Sequence, residues 1–205
     1  MKTFVCHWNK LTERKSHLLE VLKEENIVDY EFVEDYNSDN WDTDEIEKNF
    51  PNIFGKNPQG RQLKISEISL VLKHIKIVKE VAEKYDYALV LEDDVVLCDD
   101  FLDEFKKSFE QLPEDWDMAW VGTCCDLHAT PKKDLRIVKI KGSRCTHAYL
   151  ISKSGAEKIL EELKYCDNGA DWYYNYLIDK FSLNNYWFEP ALAIQSPEFK
   201  TTIQN

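Results

Sequence analysis

Three consecutive carboxylates, Glu92, Asp93 and Asp94, interrupt the apolar segment YALVLEDDVVL at residues 87–97. An apolar run of this kind predicts a buried strand, and successive side chains of a strand point to opposite faces. If the strand continues through the acids, Glu92 and Asp94 project to one side and Asp93 to the other. Adjacent like charges raise a pKa or require a cation. Residues 92–104 contain seven acids and no base, so the sequence favours a divalent cation as the partner of Glu92 and Asp94.

The acids also have a simpler interpretation, in which the strand ends in solvent and Asp99 and Asp100 cap a helix at 101–112. We adopt that interpretation for the acids from Asp99 onward and retain the metal-site interpretation for Glu92 and Asp94. Ligands of open α/β sheets bind beyond the carboxyl ends of the strands. Oxygen ligands without a neighbouring His or Cys favour Mg²⁺ or Mn²⁺ shared with substrate phosphates. The cluster therefore predicts a metal-bound diphosphate, and acid-ended strands are also typical of phosphatases and nucleases.

The elements around the acids predict an α/β fold with a parallel sheet. A strand at 3–8, a helix at 11–25 and a strand at 30–33 open the chain in the order typical of such folds. A polar loop rich in Asn, Pro and Gly follows, with one short helix at 42–49. Ser66 is the predicted N-cap of a long helix, because apolar residues recur there every three or four positions. Later elements are predicted at 101–112, 118–121, 136–140, 145–151, 154–164 and from 171 onward.

The length and composition suit a single domain over residues 1–205. Because the formal net charge is −12 and no basic stripe is present, nucleic acids and anionic membrane surfaces are poor partners. No segment reaches the ~20 apolar residues of a membrane span, and the N-terminus lacks the apolar core of a signal peptide, so we expect a cytoplasmic protein. The cysteines show no C-x-x-C spacing and are expected to be reduced, mostly buried thiols: Cys6, Cys98, Cys124, Cys125, Cys145 and Cys166.

Five segments follow one another along the chain in this order: ISEISLVLKHIKIVKEVAE, YALVLEDDVVL, DMAWVG, THAYLISKSGAEKIL and GADWYY. Together they resemble glycosyltransferase family 25, which includes bacterial lipooligosaccharide galactosyltransferases and procollagen galactosyltransferases. The resemblance runs roughly from Thr3 to Gln204. It departs from the family pattern where Ser66 and Ser69 replace glycines and Lys73 replaces a serine.

The resemblance implies a GT-A-like (Rossmann-like) fold, a mixed α/β sheet flanked by helices that binds a nucleotide sugar. The acids Glu92, Asp93 and Asp94 stand where the family holds Mn²⁺, or Mg²⁺, on the diphosphate of a UDP-sugar. By the same resemblance, Arg14 lies near the nucleotide and Gln195 near the diphosphate. As alternatives, Arg14 is an ordinary exposed arginine and Gln195 an ordinary surface residue.

Glu67 and His74 lie seven residues apart on the long predicted helix, and therefore on nearly the same face. In the functional interpretation, that face meets the donor or orders the acids. In the structural interpretation, which we slightly favour for His74, Glu67 interacts with the helix dipole and His74 is half-buried beside apolar neighbours.

Asp171 has two compatible interpretations. It is an N-cap for the helix that follows, or it is the carboxylate that takes a proton from the acceptor hydroxyl in an inverting transfer. If Asp171 only caps the helix, the base is expected to be Asp126 or Glu189. Nearby aromatic residues either stack on a sugar or belong to the core, and the core is the commoner role: Trp172, Tyr173, Tyr176 and Trp187.

The function expected from this resemblance is metal-dependent transfer of a hexose, galactose or glucose in the first place, from a UDP-sugar to a glycan or hydroxyl acceptor. A non-catalytic nucleotide-sugar-binding module of the same fold is the alternative that the sequence leaves open. A phosphatase of the haloacid dehalogenase kind is less favoured. That pattern needs a nucleophilic Asp followed by Asp and Gly-Thr, whereas this chain has Glu92, Asp94 and Val95-Val96.

Overall fold

Two β-sheets and six helices make up the regular structure in the computed structural model, which describes residues 1–125 and 127–199. The main sheet contains β1 (Lys2–Cys6), β2 (Tyr30–Val33), β3 (Tyr87–Glu92), β5 (Met118–Trp120), β7 (Ile137–Lys139), β8 (Ala148–Ser152) and β9 (Asn185–Phe188). The small sheet contains β4 (Val95–Leu97), β6 (Gly122–Thr123) and β10 (Ala193–Gln195). The helices are α1 (Thr12–Glu24), α2 (Thr43–Asn49), α3 (Ile65–Lys84), α4 (Phe101–Phe109), α5 (Lys153–Leu163) and α6 (Ala170–Lys180).

The main sheet is mixed, with the order β2-β1-β3-β8-β5-β9-β7. Its first three strands are parallel, whereas β8 runs antiparallel to both β3 and β5. Because β1 and β3 are parallel neighbours and Cys6 pairs with Glu92, their carboxyl ends meet at one edge of the sheet. Residues that follow β1 therefore lie beside the acids that follow β3.

The small sheet brings the end of the chain to the same edge. β10 pairs antiparallel with β4, so that Gln195 lies opposite Val95. The backbone N–H of Ser196 also donates to the Asp94 carbonyl oxygen at 2.7 Å. These bonds place Gln195 next to the acidic segment, although the two are a hundred residues apart in sequence.

Both faces of the main sheet are buried, which explains why its central strands are nearly continuous apolar runs. Along β3, Ala88 and Val90 face one core cluster, whereas Leu89 and Leu91 face the other. The first cluster packs against α3, α5 and α6, and the second against α1 and α4. Each fully buried Leu or Val side chain contributes roughly 1.5–3 kcal/mol, so the strand that carries the acids is firmly held.

Helices α3 and α6 begin earlier than predicted, whereas α4 begins at Phe101 as predicted. Helix α3 begins at Ile65, so Ser66 is not its N-cap; the Glu67 carboxylate instead accepts the backbone N–H of Lys64 at 2.7 Å. Asp100 precedes α4 with φ near +54°, and its side chain makes no capping bond. Gly169 precedes α6, so the N-cap interpretation of Asp171 is wrong.

The expectation for the cysteines is wrong for one pair. Cys124, which follows β6, and Cys145, which precedes β8, form a disulfide with Cα atoms 6.4 Å apart. The sequence hides this pair because 21 positions separate the two residues and only the fold joins them. The other cysteines are free thiols; Cys6 and Cys166 are buried, Cys98 is half-buried and Cys125 is exposed.

Among the helices of the described residues, none combines the length and apolar character needed to cross a membrane. The cytoplasmic location and the assignment of the chain to one domain stay predictions.

Candidate active site

Two adjoining cavities open at the edge of the main sheet where β1 and β3 end. The first, called the acid cavity, has a volume of about 310 Å³, and its lining includes His7, Arg14, Asp93 and Asp94. The second, called the Trp172 cavity, has a volume of about 680 Å³, and its lining includes Arg61, Glu67, Asp171 and Trp172. The two share the lining residues Leu70, Glu92 and Gln195, so they form one continuous cleft.

All residues predicted from the sequence for the site line this cleft: Glu92, Asp93, Asp94, Arg14, Glu67, Gln195 and Asp171. They divide between the two cavities. The acids and Arg14 lie in the acid cavity, Glu67 and Asp171 in the Trp172 cavity, and Glu92 and Gln195 where the cavities meet. This placement is geometric, and the roles of the individual side chains stay predictions.

The three acids do not alternate as a strand would require. β3 ends at Glu92, and Asp93 and Asp94 form a turn before β4. The pleat is lost in that turn, so Asp93 and Asp94 share one partner: Arg14 Nη1 lies 2.8 Å from Asp93 Oδ1 and 3.3 Å from Asp94 Oδ2. His7 Nδ1 lies 2.7 Å from the other oxygen of Asp93. The condition on which Glu92 and Asp94 were expected to project to one side, a strand that continues through the acids, is therefore not met.

Glu92 is held by a separate set of groups. The hydroxyl of Thr146 donates to Glu92 Oε1 at 2.6 Å, and His74 Nε2 lies 3.6 Å from the same oxygen. Burial alone would raise the pKa of Glu92, but the His74 contact, reinforced by the Thr146 hydrogen bond, holds that pKa below its ordinary value. These contacts favour the anionic form of Glu92 despite its burial.

His74 is only 2% exposed, so the expectation that it is half-buried is wrong. Its Nδ1 lies 3.0 Å from the hydroxyl of Tyr149, which lies 2.8 Å from that of Tyr174. This buried chain of polar groups fixes the imidazole ring against Glu92. The geometry favours the interpretation in which the inner face of α3 orders the acids.

The groups around Asp94 do not fully compensate its negative charge. Burial, together with the charge of nearby Glu92, raises the pKa of Asp94 to about 7, even though Arg14 opposes the shift. Among the described residues, no group forms a hydrogen bond with the buried Asp94 Oδ1. A buried acceptor without a partner is costly in free energy, and a cation or a ligand donor would relieve that cost.

The residues fit a divalent ion only if a substrate supplies part of its coordination. Within residues 1–125 and 127–199, no group of three or more His, Cys, Asp or Glu side chains is arranged to hold a metal ion. Asp94 lines the acid cavity and its Oδ1 is buried without a hydrogen-bond partner among the described residues, whereas Glu92 lines both cavities. A Mg²⁺ or Mn²⁺ ion held by one or two carboxylates and by substrate phosphates matches such a donor set.

Arg14 is buried, with 6% of its surface exposed, which rules out the alternative of an ordinary exposed arginine. Glu67 forms a paired contact with Arg61, whose two terminal nitrogens lie 2.7 and 2.6 Å from the carboxylate oxygens. The Arg61 hydrogen bond is the main cause that lowers the pKa of Glu67. Glu67 thus serves the start of α3 and positions Arg61 at the Trp172 cavity.

Asp171 lies in the first turn of α6, where its Oδ1 accepts the backbone N–H of Trp172 at 2.8 Å. Burial raises the pKa of Asp171 above its ordinary value. A carboxylate with a raised pKa at a cavity wall is suited to proton transfer. Of the other candidates for a base, Asp126 lies outside the described residues. Glu189 is buried against Arg144 at 2.8 Å.

Several residues of the site were not predicted from the sequence. Thr146 contacts Glu92, and the two residues are 54 positions apart in the sequence. His7 contacts Asp93, which is 86 positions away. Lys73, a departure from the family pattern, donates to the Asp35 carbonyl oxygen at 2.7 Å, and burial lowers the pKa of Lys73 to about 8. His7 directly follows β1, where polar residues of a parallel sheet often bind ligands, but the predicted strand at 3–8 included it.

The mixed sheet flanked by helices has a GT-A-like architecture, with the cleft at the carboxyl ends of β1 and β3. The profile described as glycosyltransferase family 25 (LPS biosynthesis protein) matches residues 1–174. The match covers most of the chain, so the protein belongs to glycosyltransferase family 25 and is a glycosyltransferase. The chain is also similar to the crystal structure of a glycosyltransferase involved in the glycosylation of the major capsid of PBCV-1. That likeness has a TM-score of 0.53 at 14% identity and covers 97% of this chain and 93% of the other.

Two other solved structures are more distant. A protein from STIV has a TM-score of 0.49 at 14% identity and covers 100% of this chain and 99% of its own. Mouse xyloside xylosyltransferase 1 has a TM-score of 0.39 at 10% identity and covers 89% of this chain and 63% of its own. No curated protein sequence is similar enough to count as a match. At 14% identity the capsid glycosyltransferase with the TM-score of 0.53 supports the fold alone, and the GT-A-like mixed sheet is confirmed.

Proposed function

We propose that this chain transfers a hexose, galactose or glucose in the first place, from a UDP-sugar to a hydroxyl of a glycan or other hydroxylated acceptor, with inversion at the sugar carbon. The observation that carries the proposal is the continuity of the cleft. The acid cavity and the Trp172 cavity meet at Glu92 and Gln195, so a donor in the first cavity and an acceptor in the second would face each other there.

The acid cavity suits the nucleotide diphosphate only if negative charge is compensated. The chain carries a formal net charge of −12, and three buried acids lie in this cavity. Arg14 supplies one positive charge, and Glu92 and Asp94 would hold Mn²⁺ or Mg²⁺ together with the diphosphate oxygens. The chemistry that such an ion supplies when bound is neutralisation of the charge that develops on the leaving diphosphate. Gln195, at the junction, would donate to the same oxygens.

The Trp172 cavity suits the acceptor. The backbone N–H of Trp172 donates to Asp171 Oδ1, so Asp171 Oδ2 is the atom proposed to take the proton. As the acceptor oxygen bonds to the sugar carbon, the bond from that carbon to the diphosphate breaks, and the acceptor proton passes to Asp171. UDP leaves as the anion. The raised pKa of Asp171 brings its basicity closer to neutral pH, where a general base is most effective.

The test is UDP release from a panel of UDP-galactose, UDP-glucose and GDP-mannose, each with Mn²⁺, with Mg²⁺ and with EDTA. We expect slow metal-dependent hydrolysis of one UDP-hexose in water and faster release when an acceptor is added. Binding of UDP-sugars without any release under all conditions would instead favour the non-catalytic binding module. Stronger calorimetric binding of GDP-mannose than of either UDP-sugar would overturn the donor class.

A further inference from the structure

The aromatic residues at the start of α6 separate into two groups once the fold is known. Tyr173 and Tyr174 are buried in the core. Tyr176 is 45% exposed, but its hydroxyl donates to Glu162 Oε1 at 2.8 Å, away from the cleft. Trp172 is 62% exposed and lines the Trp172 cavity next to Asp171. An indole exposed at a cavity wall, beside a candidate base, has no role in the core.

We propose that Trp172 is the stacking platform for a pyranose ring of the acceptor, which makes the acceptor a saccharide rather than a hydroxyl-bearing peptide. A pyranose has an apolar C–H face, which an aromatic ring covers, and a rim of hydroxyls, which needs polar partners. The cavity supplies both kinds of surface. Trp172, Asp171 and the Arg61–Glu67 pair all line this cavity.

Trp172 is also the neighbour of Asp171 in the sequence, which would bring a bound acceptor near the proposed base. The two residues are adjacent in the first turn of α6, and the backbone N–H of one is bonded to the carboxylate of the other. Both residues line the Trp172 cavity, so a ring held on the indole would lie in the same cavity as the group proposed to accept its proton. Positioning of this kind lowers the barrier because the reacting hydroxyl need not be found by diffusion.

The inference rests on the proposed function, because only that function makes the bound saccharide an acceptor. The binding test itself does not need turnover. Methyl β-D-galactopyranoside, methyl β-D-glucopyranoside, lactose and a short Ser- and Thr-containing peptide are titrated into protein labelled at the indole nitrogens. The chain has six tryptophans, and the Trp172 signal is the one missing from the spectrum of Trp172→Phe. We expect at least one saccharide to shift that signal and the peptide to leave it in place.

The variants then separate stacking from folding. Trp172→Ala should weaken binding of that saccharide about tenfold or more, whereas Trp172→Phe retains most of it. Tyr176→Ala, which removes an exposed aromatic from the same helix outside the cavity, should bind as the parent does. In transfer assays the KM for the saccharide should rise in Trp172→Ala without a matching rise in the KM for the UDP-sugar.

Three results would overturn the inference: no saccharide of the panel shifts the Trp172 signal, the peptide alone shifts it, or Trp172→Ala binds as tightly as the parent. The proposed function fails separately, if no UDP-sugar is bound or consumed. Saccharide binding at Trp172 without donor turnover would leave the inference standing and remove the proposed function.

Discussion

The two cavities of the cleft are built in opposite ways. In the acid cavity the charged groups are buried and already paired, with Arg14 between Asp93 and Asp94 and with His7 on Asp93. In the Trp172 cavity the prominent side chain, Trp172, is mostly exposed. Buried, pre-positioned charges interact more strongly than hydrated ones. The contrast is consistent with the proposal that the acid cavity takes the charged donor and the more open Trp172 cavity takes the acceptor.

The two halves are also held by different forces. The acid cavity depends on ion pairs, and removing one partner of a buried pair typically costs about 3–5 kcal/mol because the other charge is left uncompensated. The wall of the Trp172 cavity depends on the disulfide between Cys124 and Cys145, both of which line it. Changes in one half should therefore affect donor binding and changes in the other should affect the acceptor.

The largest effect is expected for Asp171→Asn. Asn keeps the oxygen that accepts the Trp172 N–H but cannot accept a proton at neutral pH. Transfer should fall by a factor on the order of 10²–10⁴, the usual contribution of a general base, and UDP binding should be retained. Steady-state transfer rates with a working acceptor check this. Asp179→Asn, a change on the exposed side of α6, is the control, and near-normal transfer by Asp171→Asn would mean that another group is the base.

A smaller effect is expected when the disulfide is removed. The doubly substituted variant Cys124→Ser/Cys145→Ser should lose about 2–4 kcal/mol of unfolding free energy, because the open chain gains conformational freedom when unfolded. Denaturant unfolding measures the loss. UDP binding should change little, whereas the KM for the acceptor should rise. Cys125→Ser changes the adjacent exposed free thiol and should resemble the parent. If UDP binding weakened as much as acceptor binding, the two halves would not be independent.

The smallest effect is a change in the pH dependence of stability. Asp94 has a pKa of about 7 in the folded protein against 3.8 when unperturbed, so it binds its proton more tightly when folded. Its contribution to stability is therefore complete below about pH 3.8 and is lost as the pH rises through 7. In Asp94→Asn that loss disappears. In EDTA and without ligand, the melting temperature of the variant relative to that of the parent should rise by roughly 2–4 °C or more between pH 4 and pH 8.

The difference between Asp94→Asn and the parent should shrink as the pH falls towards 4. Thermal unfolding at several pH values measures it, and Asp99→Asn, which alters an exposed acid of the same segment, is the matched control. A constant difference across that range would mean that Asp94 is not the group with the raised pKa.

Much of the fold follows from local patterns. The apolar spacing of Ile68, Val71 and Leu72 predicts α3, and the alternation of buried faces explains β3. Strands β9 and β10 were missed, since β10 has only three residues and its place depends on β4, a hundred residues earlier. Short strands of this kind gain their stability from pairing, which the local sequence does not record.

For the site, residue types were easier to predict than contacts. The acids were found because carboxylates after an apolar run are unusual, and their shared edge with β1 follows from parallel pairing. The partners of the acids were not found, because Arg14, His7 and Thr146 approach them only through the tertiary fold. The assumption that Asp94 follows strand geometry failed for the same reason, since the turn after Glu92 is set by those contacts.

The central claim is that the acid cavity binds a nucleoside diphosphate through a metal ion held by Asp94 and Glu92. Isothermal titration of UDP into the parent and into Asp94→Ala, each with Mn²⁺ and with EDTA, tests it most directly. We predict that EDTA weakens UDP binding to the parent by about tenfold or more, and that Asp94→Ala folds but no longer distinguishes Mn²⁺ from EDTA. Equal binding of UDP to the parent in Mn²⁺ and in EDTA would contradict the claim, as would a metal-dependent difference that survives in Asp94→Ala.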